Sequence, residues 1–248
     1  MIRETDPSTT AELSQPTFID VSDWIVRHRD FEASATADPY DASRIAMPLA
    51  PGPVSAGLLR LLPGKGKVAR QQGDEFLYMI EGDLALRCAD QDVLLTCGDA
   101  AMVTSGAQLF WQTDQGALML FMRRESVATA IPSVIRCDLE AALEPSGAPL
   151  AELLISPTPQ CRNASDFKSA DGEFMCGTWD STPYNRRPMV YRQHELMVLL
   201  EGSVRLEDTN GRSQTFSPKQ IVLVEQGAEC GWDSRCHVKK LYCIHRPA

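Results

Sequence analysis

The feature that most constrains this chain is an internal repeat. "DEFLYMIEGDLAL", residues 74–86, returns as "HELMVLLEGSVRL", residues 194–206; each copy has a glutamate, five apolar residues, Glu-Gly and an apolar tail. Pro63 and Pro183, Glu75 and Glu195, and Gly82 and Gly202 all keep an offset of 120 residues. Past the turn after "RLED" the offset becomes 121, pairing Gly106 with Gly227, Trp111 with Trp232 and Phe121 with Tyr242. One residue inserted in a hairpin accounts for the change. Upstream, "PTFIDV" from Pro16 is echoed by "PSVIRC" from Pro132. Equal spacing of apolar and glycine positions implies equal strand register, so Glu75 is expected to superpose on Glu195 and Trp111 on Trp232. A chain of 248 residues with 44% hydrophobic residues can fill a core in each half.

Within each copy the segments are short, partly β-branched or aromatic, and punctuated by turn formers, as in "EDTNGRSQTFSPKQIVLVEQG". Asn210-Gly211 suits a type I′ hairpin, in which both central residues take positive φ. Regularly spaced strands of about five residues predict an all-β sandwich or barrel in each copy. Helical periodicity is confined to "VSDWIVRHRDF" and "DLEAALEPSG", each expected to give a short helix at most. The expected division is an N-terminal barrel with its extension over 1–127, a linker over 128–160 and a C-terminal barrel over 161–248.

Asp and Glu outnumber Lys and Arg by 33 to 24, and basic residues cluster no further than pairs such as Arg186-Arg187 and Lys239-Lys240, which excludes a nucleic-acid footprint. The first 18 residues are polar where a signal peptide needs an apolar core, and no apolar run approaches a membrane span, so a cytoplasmic protein without membrane partners is expected. Eight scattered cysteines without a CxxC pair read mostly as buried small hydrophobes. The nearest approach to a zinc cluster is Cys230, Cys236, His237 and Cys243, which alternating strand positions also explain.

The spacing E-x6-G from Glu75 to Gly82 and from Glu195 to Gly202, followed by G-x7-G from Gly98 to Gly106 and its shifted partner ending at Gly227, resembles the two motifs of the cupins. The resemblance spans both halves and implies a bicupin: two tandem antiparallel jelly-roll β-barrels, the RmlC-like double-stranded β-helix. With "GTWDSTPY", "HELMVLLEGSVRLED" and "GAECGWD", the second half is similar to ethanolamine-utilisation-type and ureidoglycine aminohydrolase-like cupins.

The family pattern sets two histidines, as HxH, shortly before the glutamate and a third after the second motif's glycine, a ligand set for Mn, Fe, Ni or Zn. In the first barrel those positions carry Val68 and Arg70, or Ala69 and Gln71, and then Leu109, so that only Glu75 survives. In the second they carry Met189 and Tyr191, or Pro188 and Val190, and then Cys230. His194 adjoins Glu195, but neighbouring strand residues face opposite ways, so a site of Glu195, Cys230 and His194 would need a bulge. No metal or other cofactor is therefore expected.

Parity turns Tyr191, Gln193, Glu195 and Met197 into the second lumen from one strand, and Cys230 and Trp232 from another. Desolvation would raise the Glu195 pKa unless a donor such as Tyr191 or Gln193 compensates. Glu195 is then the candidate catalytic base or ligand anchor, or a satisfied polar residue retained from a metal-binding ancestor. Trp111 and Trp232 are barrel core or a stacking platform. Two functions follow: binding of a small polar metabolite in the second barrel, or an enzyme acting on a ureido or amino compound, metal-dependent or through Glu195 acid–base chemistry. Exposed sheet edges favour a homodimer.

Overall fold

The computed structural model describes residues 15–34, 38–125 and 131–248; most of the polar N-terminal stretch read above, residues 1–14, lies outside them. The chain folds as two jelly-roll barrels, each a large sheet facing a small one. In the first, the large sheet runs Val134–Arg136, Ala100–Val103, Asp74–Cys88, Ala117–Arg124, Val54–Leu61 and Arg44–Ala46. The small sheet pairs Gly64–Val68 with Leu109–Thr113, and the latter with the second half of Asp74–Cys88, which also holds Gln91–Thr96. The second barrel repeats this order. Its large sheet is Phe18–Asp20, Ile221–Val224, His194–Glu201, Val238–His245, Phe174–Ser181, Cys161–Lys168 and Glu144–Ser146, and its small sheet is Tyr184–Val190, Glu229–Ser234, Val204–Asp208 and Ser213–Phe216.

The registers match as the repeat requires. Glu75 lies opposite Val103 and Glu195 opposite Val224, while Leu86 opposes Trp111 and Leu206 opposes Trp232. At Gly82 (φ 77°) and Gly202 (φ 70°) the chain passes from large sheet to small, and a Cβ on either would strike a backbone carbonyl, of Gly116 or His237. Only glycine accommodates both conditions.

The first strands of the two repeats are exchanged. Phe18–Asp20 pairs with Ile221–Val224 of the second barrel, and Val134–Arg136 pairs with Ala100–Val103 of the first. These strands belong to the echoed "PTFIDV" and "PSVIRC", and they cross the division expected at residues 127 and 160. Between the barrels the backs of the two large sheets share one core, in which Phe76, Leu120 and Met122 meet Phe174, Leu196 and Leu241, closed over by Trp24 and Ile25. Each lumen has its own apolar filling.

Two local expectations are corrected. The turn at Asn210-Gly211 is not type I′: Gly211 has φ 80° but Asn210 is not among the positive-φ residues. The Asp208 carboxylate accepts from the backbone N–H of Asn210 and of Arg212, both at 3.0 Å, and this Asx turn sets the backbone there instead. "DLEAALEPSG" forms no helix. The Glu140 N–H binds the Asp138 side chain at 3.0 Å, ending the turn, and Glu144–Ser146 pairs instead with the edge strand Cys161–Lys168. "VSDWIVRHRDF" does give the helix Val21–His28, capped by Asp20. A further turn of helix, Pro39–Ala42, was not anticipated.

Candidate functional site

Residues directly opposite on antiparallel strands share a face, so the register defines what lines the second lumen. Three rungs cross its large sheet: Met175–Ile244–Glu195, Gly177–Tyr242–Met197 and Trp179–Lys240–Leu199. The first barrel has Ser55–Arg123–Glu75, Gly57–Phe121–Leu77 and Leu59–Met119–Met79 at the same places. The two glutamates are equivalent, but their surroundings are not.

Glu75 is wholly buried. Its Oε1 accepts from Arg44 Nη1 at 2.5 Å and Arg123 Nε at 3.2 Å, and its Oε2 from Tyr40 Oη at 2.9 Å and Gln71 Nε2 at 3.0 Å. Burial alone would push its pKa up, but the Arg44 and Arg123 guanidiniums hold it down at about 2. Arg123 also pairs with Asp41 at 2.8 Å, so Pro39–Ala42 and Arg44–Ala46 plug this lumen with its own counter-ions.

Glu195 is 7% exposed, and its Oε1 meets the Lys240 ammonium at 2.7 Å. Gln193 Nε2 donates to Oε2 at 3.1 Å, while Gln193 Oε1 accepts from Arg246 at 2.7 Å. Lys240, also 7% exposed, lies 4.7 Å from the ring centre of Trp179 and 5.1 Å from that of Trp232, with Met197 Sδ at 3.2 Å. An ammonium between two indoles gains cation–π attraction where water cannot reach it. Desolvation raises the Glu195 pKa, but the Lys240 charge and the donors from Lys240 and Gln193 prevail, so it stays below the ordinary carboxylate value. The expected risk of a raised pKa is thus averted, chiefly by Lys240. Tyr191, named above as a donor to Glu195, instead accepts from Arg186 Nη2 at 2.9 Å.

The other candidates gather as parity requires. Tyr191, Met197, Cys230 and Trp232 pack into one buried cluster, and Gln193 stands half-buried at its edge. Trp232 stacks on Tyr184, with ring centres 5.6 Å apart, and Trp179 meets it edge-on. Trp111 packs in the first lumen, where its indole fills the space beside Gly66. His194 points the other way, into the region between the barrels, stacked on His245.

Sequence reasoning missed Lys240, Arg186, Tyr184 and Trp179. The signal was in the repeat itself. Lys240 stands where the first copy has Met119, on the parity of Tyr242, and Tyr184 and Arg186 stand where it has Gly64 and Gly66.

A cupin metal does not fit either donor set. Glu75 spends its oxygens on two arginines, a tyrosine and a glutamine, and Lys240 puts an ammonium on Glu195. Burial lifts the Cys230 thiol to about 11, so it offers no thiolate near neutral pH. Among the described residues no three His, Cys, Asp or Glu side chains are grouped to hold an ion. Among them, too, no helix is long and apolar enough to cross a membrane.

Known proteins place this architecture. Residues 168–242 match the EutQ-like cupin domain. A solved protein of unknown function from Pseudomonas syringae pv. tomato, assigned to the DUF861 family, is 30% identical with a TM-score of 0.82, over 93% of this chain and 100% of its own. A cupin 2 conserved barrel protein from Leptotrichia buccalis (11% identity, TM-score 0.59, 95% and 99% coverage) shares the fold. So does salicylate 1,2-dioxygenase from Pseudaminobacter salicylatoxidans (11%, TM-score 0.56, 93% and 84%). No curated protein sequence matches the chain. Two barrels in equal register, joined to a near-third identity along the whole of a solved relative, make this chain a member of the cupin superfamily, in the DUF861 family.

Proposed function

We propose that this protein is a ligand-binding bicupin whose second barrel holds a small polar metabolite among Tyr191, Gln193, Glu195, Met197, Cys230 and Trp232. The observation that carries this reading is the Lys240–Glu195 pair. An internal cation takes up the family's ligand glutamate, leaving a lumen with polar donors and aromatic walls but no metal donor set. The first barrel, plugged by Tyr40, Arg44 and Arg123, serves as the packing partner. Acid–base catalysis by Glu195 has less support, because the ammonium keeps the carboxylate ionised and engaged. Elemental analysis of the purified protein, before and after equilibration with Mn, Fe, Ni and Zn salts, tests the metal-free part. A near-stoichiometric transition metal lost in Glu195→Gln would overturn it.

A homodimer formed through the outer face of the first barrel's small sheet accords with this reading, since Leu94 and Phe110 stand 55% and 52% exposed there. Sedimentation at micromolar concentration tests it, and a species of 27.4 kDa would reject it.

A further inference from the structure

We propose that the second lumen recognises a carboxylate, with the Arg186 guanidinium as the anion's partner. The inference rests on the ligand-binding reading above and narrows it to small organic monoanions.

Arg186 is 5% exposed, yet every acceptor it meets is neutral. Its Nη1 donates to the carbonyls of Cys230 at 2.9 Å and Arg187 at 3.2 Å, and its Nη2 donates to Tyr191 Oη at 2.9 Å. Among the described residues no carboxylate lies within the 4.0 Å of an ion pair with it. The lumen's glutamate is already paired with Lys240, and the buried Asp208, opposite Cys230, spends its oxygens on Thr17, Asn210 and Arg212, so neither carboxylate forms an ion pair with Arg186. The first lumen is balanced: Arg44 and Arg123 face Glu75 and Asp41. A buried charge without a counter-ion is costly, and proteins retain one where something else supplies the opposite sign.

The two repeats show that the guanidinium is a specific addition. Arg186 opposes Trp232 in the same register in which Gly66 opposes Trp111. In the first barrel a Cβ at Gly66 would collide with the Trp111 indole, so that barrel closes without a side chain at this position. The second barrel packs as an equivalent jelly roll, yet admits an arginine here. Packing alone does not call for it.

The donors left over suit the proposed guest. Five N–H groups lie in the plane of a guanidinium, and the bonds above use three. The Nε–H and one Nη2 hydrogen remain, a fork that two carboxylate oxygens can fill. Half-buried Trp179 and Gln193 border the lumen, and the exposed Arg246 is bonded to Gln193, adding positive charge at the rim.

The test uses the full-length protein at constant ionic strength, with tryptophan emission and melting temperature as readouts. The probes are acetate, lactate and benzoate, each against its neutral amide. The carboxylates should saturate and raise the melting temperature, with the amides at least tenfold weaker. Arg186→Met should weaken the carboxylates at least tenfold. If that variant fails to fold, Arg186→Lys keeps the charge, removes the fork and should show the same loss. Carboxylate binding undiminished in the folded variants overturns the role of Arg186. Amides binding as well as carboxylates overturn the carboxylate inference but leave a ligand-binding lumen standing. No saturable response from either class overturns both.

Discussion

At the scale of single residues, a glutamate deep in a barrel must find a cation or give up its charge, and the two repeats solve this with different partners. Glu75 takes guanidiniums from Arg44 and Arg123, whereas Glu195 takes an ammonium from Lys240. Lys240→Met strands a buried carboxylate and should cost about 3–5 kcal/mol at neutral pH, while adding Glu195→Leu should recover most of it. Urea unfolding of the two variants checks this, and a double mutant no better than the single would reject the pairing. For Glu75 the folded pKa of about 2 lies below the ordinary 4.5. Its ionised form therefore stabilises the fold fully above 4.5, and that contribution is lost as pH falls from 4.5 to 2. Roughly 3 kcal/mol is at stake. Glu75→Gln should flatten acid unfolding across this window, and parallel curves for variant and parent would show that Glu75 is not the titrating group.

At the scale of elements, turns fix where each strand crosses from one sheet to the other. Gly202→Val must adopt φ 70° and also drive its Cβ into the His237 carbonyl, so it should cost well over ~1 kcal/mol. An unchanged denaturation midpoint would refute the bend. Lys219 (φ 71°) occupies the place that Gly98 (φ 92°) holds in the first repeat. Lys219→Gly should therefore stabilise the protein by up to about 1 kcal/mol, because the left-handed conformation costs a side chain roughly that much. Strand positions were legible in the sequence because alternation and glycine spacing are local. "DLEAALEPSG" misled because its helical pattern competes with an edge strand offering backbone bonds, and Asn210 because the Asp208 side chain dictates the turn.

At the scale of the whole molecule, the exchanged first strands and the shared core tie each barrel to the other half of the chain. Phe18 is fully buried in the second barrel, edge-on to Phe216 at 6.0 Å. Phe18→Ala should cost about 3–5 kcal/mol and expose the C-terminal barrel to proteolysis, although the residue precedes the N-terminal barrel in sequence. Cleavage confined to the first barrel would contradict the exchange. Between the barrels, Arg124 binds Asp171 and Glu173, at 2.8 and 2.6 Å, close to His245, on which His194 stacks. Burial, then the neighbouring His245, lowers the His194 pKa from 6.5 to about 4. The neutral ring therefore stabilises the fold above 6.5, and the contribution falls away between 6.5 and 4. At most about 3 kcal/mol is lost. Melting temperature against pH should decline less steeply in this window for His194→Gln; equal slopes would exclude the histidine.

The sequence by itself determined the all-β class, the two barrels, their common register and the inward parity of Glu195, Tyr191, Met197, Cys230 and Trp232. All of these follow from periodicities along a strand and from spacing between copies. Only the tertiary structure decided that Lys240 neutralises Glu195, that no carboxylate among the described residues forms an ion pair with Arg186, and that the first strand of each repeat serves the other barrel. A charge's partner and a strand's neighbour come from segments far apart in the chain, and neither leaves a period in the sequence.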